Sequence, residues 1–273
     1  MHTRIAPFLA IPLAAASWAA PHSALAQQRE AHEERGALLL GAFVTEPDTS
    51  ARLDSDTGLG TDIDLEQDLG LQTSRTVARL GGYYWFGLHH RADFSLFEFA
   101  RDASKQIDKT IEYGDSVYTI STVVSTSSRV RVFEAAYTFA PVVRERGDFG
   151  ITAGFYTAKV DLGLRNAASG TDESEGLTAP LPVIGVRGEY EITRRLALRG
   201  AVQLFSIDAG DTSGRLADTY LGVDYTFNDR IGVGVAYNKV AMNVDAQDDG
   251  GFRGALDWGY DGYMVYLKAN FGL

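Results

Sequence analysis

Hydrophobic and polar residues alternate along most of the chain, and turn residues separate the alternating segments. The clearest segment is 195–204, where every second residue from Leu196 to Leu204 is apolar or glycine and the residues between them are mixed. Segments 184–192, 217–227 and 262–271 repeat this pattern. Alternation with period two places successive side chains on opposite faces of a β-strand, whereas amphipathic helical spacing is scarce. The pattern predicts an all-β protein.

Ten strands are predicted, at residues 36–45, 75–87, 91–112, 116–139, 148–163, 179–192, 195–206, 215–227, 230–243 and 256–271. Short connections ("GLHH", "PVVRERG", "TRR", "NDR") alternate with the longer segments 46–74, 164–178, 207–214 and 244–255. The two strands that flank "EYGDS" are each far longer than the roughly 9–11 residues that cross a bilayer, so this hairpin is expected to project from a membrane. Eight or twelve strands remain open if 36–45 or the 91–139 hairpin is misassigned.

The N-terminal 26 residues have the features of a secretory signal peptide. Arg4 precedes an apolar run over residues 5–20, and Ala24-Leu25-Ala26 forms a small-residue cleavage site. A membrane anchor is the weaker alternative, because Pro7 and Pro12 interrupt a run that is short for spanning a bilayer. We expect a signal peptide at 1–26, an N-terminal periplasmic extension at 27–35 and a barrel domain at 36–273.

Alternation alone does not say which face of a barrel points inward, because a soluble barrel is apolar inside and a membrane barrel is apolar outside. The mixed face carries charges among small residues, as expected of a narrow interior, and the tight turns lie at the same end as both termini. Aromatic residues gather at that end, as in an interfacial girdle. The predicted interior charges are Arg79, Glu134, Arg187, Glu189, Arg199, Asp218, Asp224 and Lys268. The predicted girdle is Phe86, Phe139, Phe149, Tyr190, Phe227 and Phe271.

These features favour a single antiparallel up-and-down transmembrane β-barrel over a soluble lipocalin-like barrel or a sandwich. Composition adds two exclusions. The formal net charge of −11 lacks the broad basic field that nucleic-acid binding requires. The absence of cysteine excludes disulfides, thiolate metal sites and a Cys nucleophile.

Four blocks resemble those of uncharacterised outer-membrane β-barrel proteins of Gram-negative bacteria. They are "GTDIDLEQDLGL" (60–71), "LGGYYWFGLHHRADFSLFEFARD" (80–102), "APLPVIGVRGEYEITRRLALRG" (179–200) and "DTYLGVDYTFNDRIGVGVAYNKV" (218–240). The resemblance implies the outer membrane as location. The terminal strand "GYDGYMVYLKANF" resembles the signal that the barrel-assembly machinery reads, although the chain ends Phe271-Gly272-Leu273 rather than on the aromatic residue. Such a family supplies no catalytic residues to carry over.

Candidate chemistry is sparse. Only His32, His89 and His90 follow the signal peptide, and the last two lie in a predicted periplasmic turn, so an extracellular site with a His base is not expected. The acidic segment 46–74 offers weak metal candidates for Ca²⁺ or Mg²⁺: Asp62, Asp64, Glu66 and Asp68. A solvated acidic loop or a short helical turn over the barrel mouth is favoured over a dedicated site, and divalent cations could instead bridge these acids to lipopolysaccharide phosphates.

The favoured function is a structural or surface-interaction role, for an integral outer-membrane barrel with acidic extracellular loops and a polar, plugged interior. Interior charges that form a salt-bridge network fill a small lumen, and this arrangement is favoured over a selectivity constriction or an acid–base pair. One alternative is a narrow passive channel for ions or small solutes. Another is an outer-leaflet enzyme that uses carboxylates such as Asp62 and Asp64. The expected partners are outer-membrane lipid, lipopolysaccharide and the assembly machinery; no cofactor is expected.

Overall fold

Ten long β-strands form a ring in the computed structural model, which describes residues 35–55, 60–113, 116–166, 172–209, 212–247 and 253–272. The predicted signal peptide and residues 27–34 lie outside this range. The ring strands are β1 (Gly36–Leu53), β3 (Arg75–Trp85), β4 (His90–Gln106), β7 (Val123–Arg144), β8 (Gly147–Asn166), β9 (Asp172–Thr193), β10 (Leu196–Ala209), β11 (Thr212–Asn228), β12 (Ile231–Gln247) and β13 (Arg253–Phe271). Three short strands lie outside the ring: β2 (Ile63–Asp64), β5 (Ile111–Tyr113) and β6 (Ser116–Tyr118).

Every ring strand pairs in antiparallel fashion with its neighbours in the chain, and the ring is closed by pairing of the first and last strands. The closing ladder runs from Gly36 opposite Phe271 to Leu53 opposite Gly254. Closure leaves no unpaired edge, which is what allows a sheet to cross a bilayer. The predicted all-β fold with ten antiparallel strands is confirmed. The described residues contain no helix long and apolar enough to span a membrane.

The strands at the end away from the tight turns are longer than predicted. β8 and β9 extend to Asn166 and from Asp172, and β10 and β11 are separated by only two residues, although 164–178 and 207–214 were expected to be loops. Backbone pairing continues here without apolar side chains on the outward face. The hydrophobic alternation therefore fades while the hydrogen-bonded ladder does not.

The predicted pair of strands around "EYGDS" is wrong in its details. β4 ends at Gln106 and β7 begins at Val123, and the short hairpin β5–β6 forms a separate two-stranded sheet between them. Ile107 accepts a backbone hydrogen bond from Ser121, which has a positive φ of 70°. The chain turns back at these positions because the hairpin buries Ile111, Tyr113 and Tyr118 over the barrel mouth instead of projecting outward.

The outer surface of the ring is apolar in a band next to the tight turns. On β13 the outward positions from Tyr263 to Phe271 are apolar, and the next outward positions include Asp261 and Asp257. Large side chains in the band are strongly exposed, with Tyr263 at 72% and Ile184 at 70%. An apolar exterior beneath a polar rim is the orientation of a membrane barrel.

A charge placed on this band is expected to be costly. Val265 lies in the middle of the band on β13, and Val265→Arg should lower the free energy of unfolding by about 2–4 kcal/mol, because a basic side chain near the bilayer midplane must leave water. Denaturant unfolding of the protein folded into lipid vesicles measures the loss. Asn243→Arg is the matched control, because Asn243 is exposed further up β12, above the band. Equal costs for the two variants would contradict the assignment of the band to lipid.

Candidate functional site

The lumen consists of two layers with different chemistry. The layer nearer the tight turns is lined by charged and polar side chains, and the layer nearer the other end is lined by aliphatic and aromatic side chains. A uniformly polar interior was expected from the sequence, so this expectation is wrong for the outer layer. Along the inward face of a long strand, the side chains are polar near the tight turns and apolar further from them.

Arg199 lies at the centre of the polar layer. Its guanidinium lies 3.2 Å from Glu189 and 3.0 Å from Asp224, and its Nη2 donates a hydrogen bond of 2.9 Å to the Tyr83 hydroxyl. Lys268 lies 3.6 Å from the same Asp224 carboxylate. Strands β9, β10, β11 and β13 therefore share one buried ion network.

Arg187 and Arg91 extend this network towards the tight turns. Arg187 pairs with Asp148 on β8 and lies 3.4 Å from Glu189. Arg91 donates a hydrogen bond of 2.9 Å to Asp93 and lies over the Tyr83 ring, 3.9 Å from its centroid. Buried charges require such partners, because an isolated ion in a low-dielectric interior is strongly destabilising.

A second polar group surrounds Arg79. The Arg79 guanidinium donates to Ser95 Oγ at 2.8 Å and to Asn238 Oδ1 at 2.6 Å. Asn238 in turn donates to Asp218 at 2.6 Å, and Gln203 donates to Glu134 on the facing side of the lumen. Arg79 also lies over the rings of two aromatic residues of the outer layer, with the Phe97 centroid 5.0 Å away, and so joins the two layers.

All eight charged residues predicted for the interior lie in this polar layer, and each has a charged or hydrogen-bonding partner. The sequence reasoning missed three members of the network: Arg91, Asp93 and Asp148. Each lies in phase with inward positions of its own strand, Ser95 and Phe97 on β4 and Thr152 on β8. Extending the alternation towards the turns would therefore have found them.

The polar layer encloses a cavity of about 150 Å³. Arg79, Glu134, Gln203 and Asp218 contribute to its lining. The cavity is far smaller than the aqueous channel of a porin.

The outer layer is a packed apolar core. Phe43, Phe97, Phe99, Trp258 and Tyr260 pack edge to face or tilted against one another, with ring centroids 5.3–6.4 Å apart. Aromatic pairs in these arrangements stabilise a core beyond their buried area. The five rings lie on β13, β1 and β4, on one side of the ring and directly above Arg79. The buried cluster continues around the lumen with Val132 on β7, Tyr156 on β8 and Val183 on β9.

Two segments between strands close the outer end of this core, and we call them the cap. The first is residues 63–71 and the second is residues 107–113 with 116–118. Eight of their apolar side chains are almost fully buried in the same cluster, and Val117 is exposed. The eight are Ile63, Leu65, Leu69, Leu71, Ile107, Ile111, Tyr113 and Tyr118. The Tyr118 hydroxyl donates a 2.7 Å hydrogen bond to the Leu164 carbonyl on β8.

A buried ion pair fastens the cap to the barrel wall. Arg101 on β4 and Glu66 in the cap are in contact, with side chains only 2% and 8% exposed. Arg101 also donates to Thr49 Oγ1 at 2.9 Å and to the Gln72 carbonyl at 3.2 Å. The Thr49 amide donates to the second Glu66 oxygen at 3.0 Å. This one contact therefore joins β1, β4 and the cap.

The structure does not bring the four metal candidates together. Asp62 is exposed, with its nearest basic group, Arg52, at 3.7 Å, and Asp64 accepts a 2.7 Å hydrogen bond from the Gln67 amide. Glu66 is bound by Arg101, while Asp68 accepts from the Asp64 amide at 2.9 Å and pairs with Lys109 at 2.6 Å. No group of three or more metal-ligating side chains converges within the described ranges. Within the acidic segment, residues 46–53 belong to β1 and residues 65–69 form a turn over the mouth.

The remaining predicted positions lie at the tight-turn end. His89 and His90 contact the Ala140 carbonyl and the Tyr137 hydroxyl, each at 2.7 Å, and His32 lies outside the described residues. The six predicted girdle residues all have exposed side chains next to a tight turn or the C-terminus. Tyr84 stacks on Phe271 with ring centroids 6.1 Å apart, which adds a further aromatic residue to this level.

The cap residues are the functional feature that sequence reasoning missed. Segment 60–71 was assigned by its carboxylates, yet Ile63, Leu65, Leu69 and Leu71 alternate with them. An apolar residue at every second or fourth position of an acidic loop indicates one buried face. The interleaved leucines were the signal available in the sequence.

Carboxylates are concentrated on the outward face of β1, β12 and β13 above the apolar band. Burial, together with the neighbouring carboxylates of Asp245, Asp48 and Asp62, raises the pKa of Asp257. Like charges close together disfavour ionisation of each other. This part of the rim therefore carries a negative field.

Comparison with known proteins gives a likeness in fold alone. No family model and no curated protein matches the chain. The outer membrane protease OmpT from Escherichia coli matches with a TM-score of 0.52 at 10% identity, over 86% of this chain and 96% of that chain. The translocator domain of autotransporter NalP from Neisseria meningitidis gives 0.45 at 11% identity, over 88% and 90%. The attachment protein Ail of Yersinia pestis gives 0.38 at 11% identity, over 87% and 99%.

The closed ring, the apolar exterior and the match to OmpT define the class: the chain is an integral membrane β-barrel. Its fold is that of the outer-membrane β-barrels, as the sequence resemblance implied. This fold agrees with the outer-membrane location predicted from the sequence.

Proposed function

We propose that this protein is an outer-membrane barrel with a closed lumen, and that it acts through its surface and not by transport. The observation that carries the proposal is the apolar core with its cap. Phe43, Phe97 and Tyr260 are almost fully buried in a cluster that continues around the lumen, and the cap residues fill the space beyond them. A continuous path for ions would have to cross this layer.

The ion network supports a structural role for the polar layer. Its carboxylates and basic groups contact one another at 3.0–3.8 Å across the lumen, and so they are engaged in holding strands together. Charges that select ions in a channel line an open water path. Here the cavity of about 150 Å³ is lined by the polar layer, and Arg79, one of its lining residues, lies over the Phe97 ring of the apolar layer.

We propose no catalytic role for the carboxylates of the acidic segment. Asp62 and Asp64, the carboxylates named for an outer-leaflet enzyme, make different contacts: Asp62 lies near Arg52, and Asp64 accepts from the backbone of the acidic turn. General acid–base catalysis needs both groups within hydrogen-bond reach of one substrate position. The contacts of these two carboxylates favour a role in the turn.

Electrical recording tests the closed lumen. The purified protein, reconstituted in a planar bilayer, should show no discrete conductance steps, because the aromatic layer has no room for hydrated ions. A 16-stranded porin in the same bilayer serves as the positive control. Reproducible steps from the unmodified protein would overturn the proposal and favour the narrow channel.

Heat-modifiable gel mobility separates a packed lumen from failed insertion. It is run on the unmodified protein and on the variant Phe97→Ala with Tyr260→Ala, which removes two rings of the aromatic layer above Arg79. Heat-modifiable gel mobility shows whether each protein has inserted as a closed barrel. The unmodified protein should show the mobility shift and no conductance. Together these results would attribute the absence of conductance to the closed lumen and not to failed insertion.

A further inference from the structure

Three basic side chains form a cluster on the outward face of β7 and β8. Arg129 and Arg131 alternate with the buried Val130 and Val132, so both face away from the lumen. Lys159 lies on β8 directly opposite Arg131 in the ladder. The three side chains are 52%, 45% and 46% exposed, so this wall carries exposed basic groups above a lower part that faces lipid.

The cluster lies at the level of the lipid headgroups. Phe133, the outward apolar residue of β7 next to the cluster, is two residues below Arg131, or about 7 Å along the strand. The headgroup region of a bilayer is about 5–8 Å thick on each side of the hydrocarbon core. The Arg131 guanidinium therefore lies at the boundary between the hydrocarbon core of the bilayer and its headgroup region, on the side away from the tight turns and the termini.

Glu98 on β4 holds the two arginines side by side. It accepts from Arg131 Nε at 2.7 Å and lies 3.7 Å from Arg129 Nε, while Lys159 lies 3.6 Å from Asp161. A guanidinium has five N–H donors, so one bond to Glu98 leaves donors for another acceptor. Exposed ion pairs of this kind contribute only about 0–1 kcal/mol, so an anion with several oxygens can compete for them.

The opposite side of the rim has the reverse charge. Outward positions above the band on β1 and β13 carry Glu46, Asp48, Asp257 and Asp261. An anionic headgroup would be repelled there and attracted to β7 and β8. The rim is thus polarised across the barrel.

We propose that Arg129, Arg131 and Lys159 bind the phosphate of an outer-leaflet lipid headgroup, of the lipopolysaccharide class. Phosphate fits because its oxygens match the paired N–H donors of arginine, and a lysine adds a point charge. A lipid rather than a free anion is the occupant, because Phe133 and Phe155 continue the same surface downward for acyl chains. This inference rests on the barrel fold and does not depend on whether the lumen is closed.

Lipid binding to the purified full-length barrel in detergent tests the site. Native mass spectrometry compares diphosphorylated lipid A with lipid A from which both phosphates have been removed. The triple variant Arg129→Gln, Arg131→Gln, Lys159→Gln should bind diphosphorylated lipid A about tenfold more weakly or worse. Binding by the unmodified protein should also weaken when the salt is raised from about 0.01 M to about 0.15 M.

The control variant is Arg215→Gln with Lys239→Gln, which removes exposed outward charges from β11 and β12. All five positions are on the surface, and heat-modifiable mobility verifies that each variant is folded. The control should retain the binding of the unmodified protein. Equal affinity of the triple variant, equal affinity for lipid A without phosphates, or an equal loss in the control would each overturn the site.

Discussion

Replacement of Arg199 by methionine is expected to lower the free energy of unfolding by about 3–5 kcal/mol, because it leaves buried carboxylates without their shared cation. Arg199 lies 3.0 Å from Asp224 and 3.2 Å from Glu189, so it contacts both carboxylates. Methionine keeps much of the side-chain volume, so that the change isolates the charge.

Denaturant unfolding in lipid vesicles, followed by heat-modifiable mobility or tryptophan fluorescence, measures this loss. Arg195→Met is the matched control, because Arg195 is exposed in the tight turn at the start of the same segment, and its loss should be close to zero. Adding Asp224→Asn to Arg199→Met should recover part of the stability. If the single variant were as stable as the control, the network would not be holding the polar layer together.

The second large effect is expected at the cap. Arg101→Met leaves the Glu66 carboxylate buried without a cation, and the free energy that holds the cap closed should fall by about 3–5 kcal/mol. The loss should be local, because the ladders of β4 and β1 do not depend on this contact. Opening of a local unit with few remaining contacts does not require global unfolding.

Amide hydrogen exchange of segment 63–71 is the measurement, supported by protease cleavage within it. Lys109→Met is the control. Lys109 also pairs with a cap carboxylate, Asp68 at 2.6 Å, but its side chain is exposed, so that less than about 1 kcal/mol is expected. Equal protection of segment 63–71 in both variants would show that the apolar packing of the cap suffices without the buried ion pair.

The two layers of the lumen have different roles in this picture. The polar layer fastens strands by charge where the wall is surrounded by lipid, and the apolar layer excludes water where the wall rises above it. Arg79 joins them, with hydrogen bonds to Ser95 and Asn238 on one side and the Phe97 ring on the other. A soluble β-protein places its apolar core between its sheets. In this barrel the apolar core lies inside the outer end of the lumen.

The sequence by itself determined the ring of strands and the direction of its faces. Every second residue of 195–204 and 217–227 is apolar apart from Gly200 and Thr219, and this period separates the two faces of a strand. The charges on the mixed face and the aromatic residues at the tight-turn end then identified the apolar face as the outward one. The charges at Arg187, Glu189 and Arg199 were placed in the interior by the same argument. Local pattern was sufficient because each inference concerned one strand and its two faces.

Only the tertiary structure decided what closes the lumen. Ile63, Leu65 and Leu69 alternate with carboxylates in a segment that was expected to be a loop, and Tyr118 ends a short hairpin in a region that was expected to be part of a long strand. Their burial depends on aromatic residues of β1, β4 and β13, which are distant in sequence and meet only when the ring closes. Contacts across a closed barrel are set by strand order and register, and no periodicity within a single segment records them.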